Sequence, residues 1–192
     1  MLKYYLVFIG AMSLITLILY GADEMRLWRA ALAVEALRKL PIADAVEDHI
    51  REGLREARLP GRMEKILQVP LVVDGTHTVA GMTALCRDIK ELYDKVLVVT
   101  GMLSDKNIDG MMSLLSGISD GMIVTAPDSE RALPADELGK VASKYLDEVI
   151  VIGDERSALD YAMEIANVRT ILVTGSFRMV EGAKRWLRTR SA

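Results

Sequence analysis

A single cysteine, Cys86, rules out an internal disulfide, and with it a secreted disulfide scaffold. It lies in the helical pattern "GMTALCRDIKEL", where a free thiol acts as a small core residue rather than a nucleophile. Only two histidines accompany it, His49 and His77, so no Cys/His spacing suited to zinc can be drawn. Basic charge is also in deficit: the formal net charge is -3, which gives no electrostatic footprint for nucleic acid. The arginines of "KRWLRTR" fall in a last helical turn, where cations complement the helix dipole. Neither G-x-x-x-x-G-K-[ST] nor a G-x-G-x-x-G after a strand occurs, so these 192 residues hold no recognisable phosphate cradle.

What is present is apolar. Hydrophobic residues make up 51% of the chain, enough for one good core and too many for global disorder. No charge interrupts Tyr4 to Ala22, "YYLVFIGAMSLITLILYGA", and nineteen residues at helical rise just cross a bilayer's hydrocarbon core. Buried strands, for which Ile, Val, Thr and Tyr are well suited, are the competing expectation for residues 1–22. Past Asp23, Leu27, Ala30, Ala31, Val34, Leu37 and Leu40 recur three or four apart until Pro41, which predicts a helix. A second amphipathic stretch places Val46, Ile50, Leu54 and Ala57 on one face. His49 there stands among Glu47, Asp48 and Arg51 as a solvated helical residue. "LPGR", Leu59 to Arg62, breaks the helix and reads as a hinge or linker.

From there short apolar runs alternate with helical patterns. The runs are "PLVVDG", "KVLVVTG", "GMIVTA", "DEVIVIG" and "RTILVTG"; the helices are expected near 79–92, 107–117, 135–146, 155–167 and 178–189. Near-continuous Val, Ile and Leu indicates strands buried on both faces, as in parallel sheets. Five such units predict an α/β, Rossmann-like, mostly parallel sheet flanked by helices, with Met102, Met111, Met112 and Met122 filling its core.

In such folds ligands bind beyond the carboxyl ends of the strands. Asp74, in "VVDGTHTVAGM", can accept paired hydroxyl donors such as those of a ribose, and Gly75 lets a backbone approach a ligand closely. Thr78 can cap the next helix, whose exposed amides favour an anion near His77. "VTGSF" has the same grammar, with Gly175 clearing space and Ser176 offering a hydroxyl. A pair of capped βα turns with a surface histidine is the other reading these residues leave open.

Five blocks in register resemble the carboxyl-terminal domain of the Mur ligase superfamily, in its folylpolyglutamate synthase / dihydrofolate synthase branch. They are "LPGRMEKI" at 59 to 66, "VDGTHTVAGMTAL" at 73 to 85, "GMLSDKNIDGMM" at 101 to 112, "TAPDSERALPADEL" at 125 to 138 and "VTGSFRMVEGAKRWL" at 173 to 187. The resemblance implies an organisation of an apolar segment at 1–22, a helical remnant of the family's central domain at 23–58, a linker at 59–63 and the Rossmann-like domain at 64–192. It also implies an ATP-dependent ligase that activates a carboxylate as an acyl phosphate and lets an amino acid's amine displace phosphate. Carried over residue by residue, Arg62 and Asp74 contact ATP, Asp74 at the ribose, while His77 and Ser176 orient the incoming amino acid's carboxylate. No catalytic residue is assigned to this chain.

The implied partners are a small-molecule acid, an amino acid of which glutamate is the family's, and a P-loop ATPase domain or subunit carrying the Mg²⁺ ligands. The expected location is cytoplasmic, or membrane-anchored if residues 4–22 span a bilayer. The family's D-x-A-H-N-P is here Asp74-Gly-Thr-His-Thr-Val, so an Asn amide and a turn proline are replaced. Two other readings stay open: an archaeal Mur-type ligase acting on another acid, such as a nickel-tetrapyrrole coenzyme precursor, and a non-catalytic Rossmann-like or membrane-tethered binding module.

Overall fold

A computed structural model describes residues 31, 32, 34, 35, 60–66, 68–167 and 169–190. The apolar segment at 1–22 and nearly all of the helical segment at 23–58 lie outside the described residues, although Ala31, Leu32, Val34 and Glu35 are helical as expected. The chain divides into two units, Met1–Leu59 and Pro60–Ala192, and the sheet belongs to the second. Among the described residues no helix is long and apolar enough to cross a membrane.

Among the described residues six strands and five helices follow Pro60. They are β1 (Glu64–Ile66), β2 (Leu71–Val73), α1 (Val79–Leu92), β3 (Val96–Thr100), α2 (Ile108–Ser116), β4 (Ser119–Ala126), α3 (Ala135–Ala142), β5 (Val149–Asp154), α4 (Glu155–Ile165), β6 (Thr170–Thr174) and α5 (Phe177–Arg190). The sheet order is β1-β2-β6-β3-β4-β5, parallel throughout except for β1, which pairs antiparallel with β2. The five apolar runs are thus the five parallel strands, and β1 is an addition that the sequence pattern did not mark.

Both faces of the sheet are covered, which is why its strands carry no polar alternation. Val72, Val98, Met122 and Leu172 point to one side, where they meet Met82, Leu85 and Ile89 of α1, Met111, Met112 and Leu115 of α2 and Leu138 of α3. Their neighbours Leu71, Val73, Leu97, Val99, Ile123, Ile171 and Val173 point to the other side, against Leu159 of α4 and Met179, Ala183 and Trp186 of α5. Met102, Met111, Met112 and Met122 are all within 1% of full burial, as core filling requires. Cys86 is buried in the first cluster, and burial pushes its thiol up to about 11.

Two expectations change in detail. The run "DEVIVIG" is an edge strand: β5 is half-buried and Val151 is 43% exposed, because among the described residues nothing pairs beyond it. The helix expected to reach 146 stops at Ala142, where Lys144 and Tyr145 donate to the carbonyls three residues back, Val141 and Ala142, tightening the last turn.

The connections from β2 and β6 leave to opposite faces of the sheet, β2 into α1 and β6 into α5, although the strands are neighbours. A crevice therefore opens between their carboxyl ends. Open α/β sheets bind ligands at such a place.

Candidate functional site

Asp74 follows the last residue of β2 and is almost wholly buried, at 4% exposure. Its backbone N–H still donates to Val173 of β6, so the loop leaves the sheet only at Gly75. Burying a carboxylate is costly unless donors surround it, and here they do. Oδ1 accepts the Thr76 N–H at 2.8 Å and lies 3.5 Å from Arg62 Nη1; Oδ2 accepts the Met63 N–H at 2.9 Å. Asp74 thus fastens Arg62 and Met63 to the end of β2.

Arg62 is held from three sides. Its Nη1 donates to Thr76 Oγ1 at 3.1 Å, it pairs with Asp74, and its Cζ stands 4.6 Å above the ring of Phe177. Its side chain is only 17% exposed, and burial draws its pKa down against the opposing pull of Asp74. The approach needs local bends: Gly61 has φ +71° and Met63 has φ +43°. Gly61 donates its N–H to Glu64 at 2.5 Å, and Glu64 is paired with Lys184 of α5 at 2.6 Å.

His77 stands next to this cluster. Its Nδ1 is 2.9 Å from the Gly75 carbonyl; a carbonyl only accepts, so Nδ1 carries the proton and Nε2 is the atom free to meet a ligand. The His77 and Phe177 rings lie 6.0 Å apart, tilted by 56°. Gly75 makes the stacking possible, since a Cβ there would come within 2.5 Å of the Phe177 ring. Thr78 caps α1 by accepting the Gly81 N–H at 3.2 Å, as its position predicts.

Ser176 occupies the corresponding place after β6. It is 2% exposed, and its Oγ accepts the Met179 N–H at 3.2 Å, capping α5. The preceding Gly175 has φ +106°, a conformation that disfavours side chains, and a Cβ there would lie 2.6 Å from Thr100 Oγ1 and 2.7 Å from the Gly101 carbonyl.

The four residues singled out from the sequence therefore sort into one cluster and one flank. Arg62 and Asp74 touch each other, His77 joins them through Phe177, and Ser176 is the residue before Phe177. Three participants were not assigned roles from the sequence: Thr76 and Phe177, which hold Arg62, and Glu64, which closes the linker turn. The signal that could have found Phe177 is its place directly after the "TGS" turn. The arrangement offers a half-buried guanidinium, an imidazole nitrogen and a helix N-terminus around one strand-end crevice, which suits anionic groups.

Comparison with known proteins identifies the family. The model of the family described as "Mur ligase, glutamate ligase domain" matches residues 61–177. The folylpolyglutamate synthase of Lacticaseibacillus casei is 32% identical over 142 residues, which are 72% of this chain and 32% of that protein. The dihydrofolate synthase/folylpolyglutamate synthase of Mycobacterium tuberculosis is 32% identical over 125 residues, 62% of this chain and 26% of the relative. Among solved structures, the Mycobacterium tuberculosis folylpolyglutamate synthase complexed with ADP and AMPPCP superposes with a TM-score of 0.73 at 27% identity, covering 84% of this chain and 40% of that one. The chain spans between 18% and 37% of the length of the curated relatives it matches.

Proposed function

The chain belongs to the Mur ligase family through its glutamate ligase domain, and from that premise we propose that it is the amino-acid-binding, carboxyl-terminal part of an ATP-dependent ligase of the folylpolyglutamate synthase kind. The observation that carries the reading is that Arg62, Asp74, His77 and Ser176 all lie inside the matched span and gather at the β2/β6 crevice. The relatives it resembles are folylpolyglutamate synthases, and one of their structures holds ADP and AMPPCP.

In this proposal ATP supplies the phosphoryl group that turns the acid into an acyl phosphate. This chain's residues bind and orient. Arg62 donates to the nucleotide's phosphate side. Asp74 accepts from the ribose, using the one acceptor position its three donors leave; because it is buried, the linker residues over it must move first. The Nε2 of His77, a donor only in the doubly protonated imidazolium because Nδ1 already gives its proton to the Gly75 carbonyl, and Ser176 Oγ hold the carboxylate of the incoming amino acid. The amine, thus placed, forms the new C–N bond as the C–O bond to phosphate breaks, and the amine's proton leaves with it. Holding the amine in line with the acyl group turns a bimolecular step into a local one. Nothing in these roles asks this chain for a phosphate cradle. The P-loop and the Mg²⁺ ligands are assigned to a separate ATPase domain or subunit, and the setting to the cytoplasm.

The test is reconstitution. The chain is mixed with the P-loop domain of a relative, ATP, Mg²⁺, a pteroate or folate acid and glutamate, and phosphate release is followed. Release that depends on both the acid and glutamate is expected. None at any combination of acids and amines would sink the ligase reading; release with a non-folate acid alone would instead favour the alternative substrate class.

A further inference from the structure

The incoming amine starts with a proton too many. An amino acid in neutral water carries its nitrogen as ammonium, which has no lone pair and cannot attack an acyl carbon until a base takes one proton. The roles given to Arg62, Asp74, His77 and Ser176 so far bind and orient, and none of them takes that proton.

The side chains at the strand ends divide by whether they can accept it. Arg62 and Lys106 are cations and only donate. Asp74 receives the Met63 and Thr76 N–H groups, faces Arg62, and lies under the linker at 4% exposure. Asp105, after β3, is a weak base, because the hydrogen bond from the Lys106 ammonium at 2.8 Å holds it below the ordinary carboxylate range. Ser176 Oγ already accepts the Met179 N–H, and a neutral hydroxyl is a poor base.

His77 differs from all of them. Its Nδ1 gives its proton to the Gly75 carbonyl at 2.9 Å, so in the neutral ring Nε2 holds a bare lone pair. That atom has no partner among the described residues, is not among the buried polar atoms, and belongs to a half-buried side chain beside the β2/β6 crevice. The Gly75 carbonyl and the tilted Phe177 ring, 6.0 Å away, fix the direction of the imidazole. In a Ser-His-Asp triad one aspartate both orients the ring and stabilises its charged form. Here a neutral carbonyl does the first, and the carboxylate that the substrate brings can do the second.

We propose that His77 is the general base of the ligation: Nε2 takes a proton from the ammonium of the incoming amino acid and so becomes the imidazolium that donates to its carboxylate. The inference rests on the ligase reading and adds a catalytic role to a residue that there only orients. Atoms and electrons balance. The N–H bond breaks toward Nε2, the freed lone pair forms the C–N bond to the acyl carbon, the C–O bond to phosphate breaks with its pair going to phosphate, and the second amine proton leaves with phosphate. The ring gives its own extra proton to solvent as product departs. Both contacts of Nε2 are open to one atom because amine and carboxylate hang from the same carbon. Until the transfer, Ser176 Oγ holds the carboxylate alone.

The experiment takes the full 192-residue chain with the P-loop domain of a relative, ATP, Mg²⁺ and a folate acid, and compares two nucleophiles. Glutamate arrives protonated, whereas hydroxylamine is already a free base near neutral pH, traps an acyl phosphate as hydroxamate and needs no base. His77→Gln should lower kcat for glutamate about a hundredfold or more, as loss of a general base does, while hydroxamate formation stays within about twofold of the parent. An unchanged kcat with a raised KM for glutamate would show that the ring only holds the carboxylate, and overturns the base role. An equal fall with both nucleophiles would place the damage in acyl phosphate formation, and overturns it too. Nitrogen NMR reads the tautomer without turnover: His77 is one of two histidines, so its ring signals are those lost in His77→Gln. In alkaline solution Nδ1 should carry the proton, and a proton on Nε2 overturns the proposal whatever the ligation shows. No hydroxamate from the parent is a different failure, that of the ligase reading itself, and the base role falls with it.

Discussion

Phe177 carries Arg62 on its ring, with 4.6 Å between the guanidinium carbon and the ring centroid, and so joins a linker residue to the first residue of the last helix. The ring is 43% exposed, yet it is packed on Gly75 and faces His77. It is the contact through which the two strand-end loops meet.

Gly75→Ala should therefore act through Phe177. The added methyl displaces the ring and with it the cation–π contact, which is worth about 0.5–1 kcal/mol at a partly exposed site. Urea unfolding should show Gly75→Ala destabilised by about 1–2 kcal/mol. In the Phe177→Ala background the same change should cost measurably less, and additive losses would refute the coupling.

Ser176→Ala should lose two things that must be told apart. Removing the cap of α5 costs about 1 kcal/mol of stability; removing the proposed carboxylate contact lowers affinity for the amino acid. Thr78→Ala, which loses only the cap of α1, is the matched control. Calorimetric glutamate binding that falls equally in both variants would show that Ser176 acts by capping alone.

Gly175→Ala should be among the most damaging single changes. It combines φ +106° with a Cβ 2.6 Å from Thr100 Oγ1 and 2.7 Å from the Gly101 carbonyl, and backbone cannot rotate out of the way as a side chain can. A loss of about 2–3 kcal/mol or more is expected from strain and overlap together. A midpoint of urea unfolding unchanged from the parent would contradict the turn geometry.

Glu155→Gln should alter how stability depends on pH. The folded-state value of about 7 lies above the ordinary 4.5, so the folded chain holds a proton that the unfolded chain releases earlier. The contribution of this group is then fully present below about pH 4.5, is lost as the pH rises to 7, and is level above that. The loss is at most about 3 kcal/mol from the size of the shift. Glu155→Gln should abolish that slope and be the more stable form at pH 8; parallel profiles for the two proteins would refute it.

The parallel strands and the helices beside them were legible because each buries an unbroken apolar run or a periodic face. Strand β1 was not: "EKI" has no such run and exposes Lys65, and it pairs only because Asp74 and Glu64 fix the turn before it. The strand-end rule led to Asp74, His77 and Ser176. What it did not reveal is that Asp74 also holds Met63, Thr76 and Arg62, since those bonds depend on where the linker runs and not on any spacing in the chain. Glu155 was invisible for a similar reason. Its burial rests on Gly182, 27 positions further on, and in the sequence it reads as an acidic residue opening a helix.

Because β6 lies between β2 and β3, Leu71 pairs with Ile171, a hundred positions later, and β2 has no parallel neighbour until that segment exists. During synthesis β3, β4 and β5 can zip together in order as they emerge, while β2 waits with only the three-residue β1 beside it. The crevice is thus completed by a late, long-range insertion. Ribosome-bound chains halted before residue 170 should accordingly hold a partial sheet whose Asp74 loop is open to protease, and that loop should close only when the last strand slides into place.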